Sequence, residues 1–193
     1  MSNPPQPTIF VATHENRGLF SDYFLNHIAK TLPEWKDDNG LFIEAKNLRE
    51  DLRLLLASIH PESLDEAQLE DQWVKPVLAK LGHQWSVQVK IRYWGTKHRK
   101  PDYGFTQTLE DARALTNRIY EPAEIAHLLG VGDAKAWGIP LDQASGSERN
   151  PSQQIDEYLR YSELPWVILN DGRWWRLYHR DTSKNKDYYA VDP

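Results

Sequence analysis

From Leu41 to Ile59 the apolar positions Phe42, Ala45, Leu48, Leu52, Leu55, Leu56 and Ile59 recur at three- and four-residue intervals, the stripe of an amphipathic helix. Asn39 or Asp38 stands where a cap is needed. The spacing predicts a second helix from Leu64 to Leu81, with Ser63 as cap, Glu66 three residues on and Gly82 just past the end. Pro76 inside that run predicts a kink or an early break. The period then changes. Trp85, Val87, Val89, Ile91 and Tyr93 alternate with polar residues, as in a half-buried strand.

Pro101 to Phe105 reads as short and extended, because proline fixes its own φ and keeps Lys100 out of the helical region. Leu109 to Leu129 reads as one or two helices interrupted at Glu121-Pro122. Leu128, Leu129 and Val131 lead into a buried strand through Ala136. A loop, Gln143 to Asn150, precedes a helix that opens on Pro151 and reaches about Ser162. Pro165 to Leu169 is an apolar strand, and Asn170-Asp171-Gly172 is a tight turn joining it to Arg173 through His179. Tyr188 to Val191 adds a short edge strand. This order predicts an α/β protein, with a central mixed sheet of the α+β kind flanked by helices.

A length of 193 residues, 40% of them hydrophobic, is enough for one respectable core, so a single domain is expected. Within it, 1–60 reads as a helical N-terminal extension and 61–193 as the core. There is no cysteine, which removes disulfides and thiolate metal sites and favours a reducing compartment. Met1 to Thr8 is proline-rich and polar rather than leader-like, and no apolar run approaches membrane-spanning length, so a cytoplasmic protein is expected.

A net charge of -5 works against a nucleic-acid partner, because non-specific binding depends on phosphate neutralisation. The charge is unevenly spread, however. Acids crowd Glu34 to Asp71, whereas Lys90, Arg92, Lys97, His98, Arg99 and Lys100 form one basic stretch, and Arg173, Arg176, His179 and Arg180 another.

In the strand ending at Ala136, Asp133 and Lys135 are two apart and project from one face. If the Pro101–Phe105 segment pairs with that strand, Asp102 lies on the same face at the roughly 5 Å spacing of neighbouring strands. Two carboxylates that close repel, and one holds a proton unless a cation fills the gap. Mg2+ suits the gap, since it takes hard oxygen ligands and is commonly held by one or two carboxylates plus substrate phosphate. Such a site favours hydrolysis of a phosphodiester, with the lysine steadying the nucleophile or the developing anion.

The triplet acid-X-Lys is not distinctive, for Glu34-Trp35-Lys36 and Glu44-Ala45-Lys46 match it equally. The helical stripe through Glu44 separates Glu44 from Lys46 and demotes that copy. Trp174 and Trp175 could stack on bases, though one of two consecutive strand residues faces the core. The seven histidines show no metal-ligand spacing.

Pro101-Asp102-Tyr103-Gly104-Phe105, Gly132-Asp133-Ala134-Lys135-Ala136-Trp137-Gly138, Asn150 to Leu159 and Trp166 to Tyr178, taken in order, resemble a PD-(D/E)XK nuclease. The likeness is to the N-terminal nuclease domain of restriction enzymes that fuse endonuclease and adenine methyltransferase, of the type IIG kind. Glu70 to Leu78 and Leu19 to Leu25 share it.

The resemblance implies a restriction-endonuclease-like core and Mg2+-dependent DNA hydrolysis, with Mn2+ as substitute, in restriction-modification or phage defence. It implies metal binding by Asp102, Asp133 and the carbonyl of Ala134, and orientation of the attacking water by Lys135. Glu70 would be a helix-borne acid approaching the site, with Asp71 its near neighbour. Gln154 would be a supporting helical glutamine, with Gln153 as a one-residue alternative and Tyr158 on the same helix face as Gln154. Implied partners are double-stranded DNA, the methyltransferase and target-recognition domains of a longer parent polypeptide, and a second copy for double-strand cleavage. A catalytically inactive module that keeps the fold for DNA binding or assembly is the alternative; a nuclease for RNA or branched DNA is a third.

Overall fold

A computed structural model describes residues 14–35, 40–144, 150–183 and 186–192. It shows a central mixed sheet flanked by helices. Seven strands lie in the order β1 (His14–Asn16), β10 (Tyr189–Val191), β9 (Trp175–His179), β8 (Trp166–Asn170), β7 (Gly130–Ala134), β5 (Tyr103–Thr106), β2 (Gln84–Val87). All neighbours are antiparallel except β7 and β8. A parallel pair needs a crossover, and α5 (Pro151–Tyr161) supplies it. A second sheet joins β4 (Lys97–Arg99), β3 (Lys90–Trp94) and β6 (Ile119–Tyr120). Among the described residues no helix is long and apolar enough to cross a membrane.

Each face of the large sheet has its own apolar layer. On one side Ile155, Tyr158 and Leu159 of α5 pack with Val131, Val167, Leu169 and Tyr178. On the other, Leu69, Trp73, Val77 and Leu78 meet Tyr103, Phe105, Ala134 and Trp175, and Leu48, Leu52 and Leu55 of α1 (Leu41–Ala57) join them. Trp175 is thus a core residue, and Trp174 packs against the opposite layer.

The second helix holds a departure from simple periodicity. Asp65, rather than Ser63, caps it, through a reciprocal box with Gln68. It runs as α2 (Glu66–Leu69), a π-turn at Glu70–Val74 and α3 (Lys75–Lys80). Pro76 does not break it, because the wide turn just upstream loosens the ladder where the proline lacks a donor. The helix stops at Gly82, at φ 79°, where His83 N–H donates to Leu78 O and Gly82 N–H to Ala79 O, a Schellman closure. The expected cap residues of α1, Asn39 and Asp38, lie outside the described residues, as does 145–149 of the expected loop.

Three other expectations are corrected. The alternation from Trp85 to Tyr93 is two strands, because Gln88 adopts φ 57° and turns the chain from the large sheet into the small one. Leu109 to Leu129 holds one short helix, α4 (Leu109–Ala114), then β6 and a 3-10 turn at Pro122–Ile125. Thr108 caps α4, and the chain turns extended at Leu115. The Tyr188–Val191 segment is not at the edge: β10 is covered by β1, so the stretch before residue 61 contributes a strand as well as helices.

Close approach explains one glycine. A Cβ on Gly130 would sit 2.3 Å from the backbone oxygen of Trp166 in the neighbouring strand. Gly130→Ala therefore has to push β7 and β8 apart and is expected to cost about 2 kcal/mol or more. Urea denaturation measures it, and an unchanged midpoint would mean that the strand pair yields freely.

Candidate active site

Strands β5 and β7 pair with Tyr103 opposite Gly132 and Gly104 opposite Val131. Continuing that register one step brings Asp102 opposite Asp133, so the pairing condition set by the sequence is met. Asp102 Oδ2 accepts the Ala134 N–H at 2.9 Å. Asp133 lies within β7, only 2% exposed, and its Oδ2 is 2.5 Å from Lys135 Nζ. That contact is an ion pair, and Asp133 Oδ2 is buried without a well-formed hydrogen bond. The strand ends at Ala134 rather than Ala136, so Lys135 lies just past it, its N–H donating to Asn170 O at 2.8 Å.

Helix α5 completes one side. Gln154 Nε2 donates to Tyr158 OH at 2.7 Å, and Tyr158 OH donates to Asp133 Oδ1 at 3.2 Å. The four-residue spacing puts Gln154 and Tyr158 on one helix face. Gln154 therefore reaches Asp133 through Tyr158. Tyr158→Phe strands the Gln154 amide and takes a donor from a buried carboxyl. It is expected to lower stability by about 1–2 kcal/mol, and an unaltered unfolding midpoint would show that the relay carries no weight.

Glu70 is placed differently from the others. Its Oε2 accepts the Tyr103 hydroxyl at 2.6 Å. Tyr103 belongs to the layer on the α3 side of the sheet, and this bond ties Glu70 to the residue after Asp102. Asp71 forms an ion pair with Lys75 on the same helix. Gln153, the neighbour of Gln154, is exposed. Of the competing triplets, Glu44-Ala45-Lys46 lies near the start of α1 on its exposed surface, and Lys36 is outside the described residues.

Charge is costly here. Burial first, and then the neighbouring Asp133, push the Asp102 carboxyl up to about 6, against the Ala134 N–H and Lys135. Burial also raises Asp133, despite Lys135 and Tyr158. For Lys135 burial opposes the charge, but Asp133 outweighs it, helped by Glu66 and Asp102, and the ammonium is held above its ordinary range. Glu66 and Tyr103 are the two residues that sequence reasoning missed. Glu66 stands one helical turn before Glu70, a spacing that could have drawn attention to it.

Among the described residues, no three acidic or histidine side chains gather as a metal-binding group. The donor set present is two carboxyls in contact, one bearing an oxygen with no hydrogen bond. This fits a small, hard divalent cation that keeps most of its ligands as water.

No protein-family model matches the chain, and no curated protein is significantly similar to it. Among solved structures, a fragment assigned as the HsdR subunit of a type I restriction enzyme from Vibrio vulnificus YJ016 aligns with a TM-score of 0.37 and 14% identity. The alignment covers 66% of this chain and 23% of that one.

Proposed function

We propose that this chain is a metal-dependent endodeoxyribonuclease domain of the PD-(D/E)XK kind, acting in restriction-modification or phage defence. The observation that carries the reading is the meeting of Asp102, Asp133 and Lys135 at the ends of two paired strands. Asp102 and Asp133, with the Ala134 carbonyl, would hold Mg2+ or Mn2+. Bound there, the ion supplies Lewis-acid polarisation of a phosphate oxygen and a more acidic water.

The chain's own groups supply the rest. Lys135 presents a persistent positive charge beside Asp133, where it orients the water that attacks phosphorus and stabilises charge building on the phosphate oxygens. Tyr158, held by Gln154, fixes Asp133 Oδ1 so that Oδ2 stays turned towards Lys135. Glu70 braces the strand through Tyr103. The reaction breaks one P–O bond of double-stranded DNA, with water as the incoming group. In this reading a methyltransferase and a target-recognition region of a longer polypeptide choose the sequence, and a second copy cuts the second strand.

The test is nicking of supercoiled plasmid in Mg2+ or Mn2+ by the wild-type chain, Asp133→Ala and Lys135→Ala. Only the wild type is expected to nick. Equal nicking by all three would remove the assigned site.

A further inference from the structure

The two basic stretches of the sequence have different fates in the fold. In the second, Arg176 makes two 2.8 Å bonds to Asp142, Arg173 pairs with Asp192 and Arg180 with Asp181. Its charge is largely spent within the molecule. In the first, Arg92 and Arg99 are likewise engaged: Arg92 with Glu121 and the Gly95 carbonyl, Arg99 with Glu157 on α5 and, 4.0 Å above its ring, with Tyr93. Tyr93 in turn meets Tyr161 of α5 edge-on at 5.1 Å.

These contacts brace the β3–β4 hairpin against α5 from within. The braces leave Lys97, His98 and Lys100 exposed, and none of the three has an acidic partner among the described residues. Trp94, opposite Lys97 at the hairpin tip, is 71% exposed. A large aromatic face beside cations that have no acidic partner offers a surface on which a sugar or base can rest while the cations meet phosphates.

Position gives the partner. The strand that carries Lys97 runs through Lys100 and the buried Pro101 straight into Asp102. At roughly 3.3 Å per residue, Lys97 lies within about 17 Å of Asp102, a distance covered by about five nucleotides of one strand at 3.4 Å each. We propose that the β3–β4 hairpin is a duplex-DNA contact, with Lys97 and Lys100 on phosphates flanking the scissile one and Trp94 against the sugar–base surface beside them. The inference rests on the nuclease reading, which brings a polyanion to Asp102. It also gives a chain of net charge -5 a local cationic contact for DNA next to the site.

The test is fluorescence anisotropy with a labelled 20-base-pair duplex in EDTA, so that cleavage plays no part, between about 50 and 200 mM NaCl. Removing two phosphate contacts in Lys97→Ala/Lys100→Ala is expected to reduce the slope of log affinity against log salt by about 1.8 and to weaken binding about tenfold or more. Trp94→Ala is expected to weaken binding with little change of slope. Thermal melts should stay close to the wild type, since all three side chains are exposed.

A double variant with wild-type slope and affinity overturns the proposal, as does a wild-type chain with no salt-dependent binding. Nicking separates the two readings. Lys135-dependent nicking beside unchanged hairpin binding discards the hairpin and keeps the nuclease. Hairpin-dependent binding by a chain that never nicks keeps the contact and discards the nuclease.

Discussion

Replacing Lys135 by alanine is expected to lower metal-dependent plasmid nicking by two to three orders of magnitude while leaving metal binding in place. The size is that of removing one preorganised charge donor from a water-poor site. The separation of the two effects follows from geometry. The ammonium sits 2.5 Å from Asp133 Oδ2 and competes for the oxygen that a cation would use. Without it, the thermal shift produced by Mg2+ or Mn2+ should be at least as large as in the wild type. Asp133→Ala should lose both shift and nicking, because it removes the ligand itself. If Lys135→Ala nicks at the wild-type rate, the lysine has no part in the chemistry.

The second large effect concerns Asp102 and runs against intuition: Asp102→Asn is expected to stabilise the metal-free protein. The carboxyl is held up to about 6, above its ordinary 3.8. A group raised in the folded state favours folding most below its unfolded value, and that contribution is lost as pH rises through the folded value. The wild type therefore gives up stability between about pH 4 and pH 6 and carries the deficit at neutral pH, on the order of 2 kcal/mol. Asparagine cannot ionise and still offers an oxygen to the Ala134 N–H. For a chain of this size the gain is a rise in Tm of about 4–8 °C at pH 7, shrinking to nothing near pH 4. The same substitution should abolish the Mg2+ shift, since the lost charge is the one a cation offsets. A variant that melts below the wild type at pH 7 without metal would show that the carboxylate is not strained.

Much of the site was legible because its signals are local. The two-residue spacing of Asp133 and Lys135 and the extended backbone imposed by Pro101 put the charges on one surface. The helical stripe through Glu44 demoted the competing triplet for a reason that the structure bears out, since Glu44 and Lys46 both lie in α1, Glu44 in its first turn. The features that escaped are non-local or depend on one backbone angle. Nothing in Gln88 itself announces φ 57°, so a perfect alternation concealed a corner between two sheets. The partner of Glu70 is a tyrosine 33 residues away, and the brace between Arg99 and Glu157 spans 58. Pattern alone could not pair β10 with a strand near the other end of the chain. Pro76 shows a different limit: periodicity marks a proline as a break, but not the wide turn that absorbs it.

The pairing of β1 with β10 has a mechanical consequence. His14 lies beside Val191, in antiparallel register, with the ladder bonds perpendicular to the strands. Tension applied through the two flanks of the chain meets those bonds one after another and peels the margin open like a zipper, with little resistance. Asp133 is on β7, the fifth strand counted from that margin. A pull transmitted from either flank is therefore dissipated at the rim before it distorts the carboxylates.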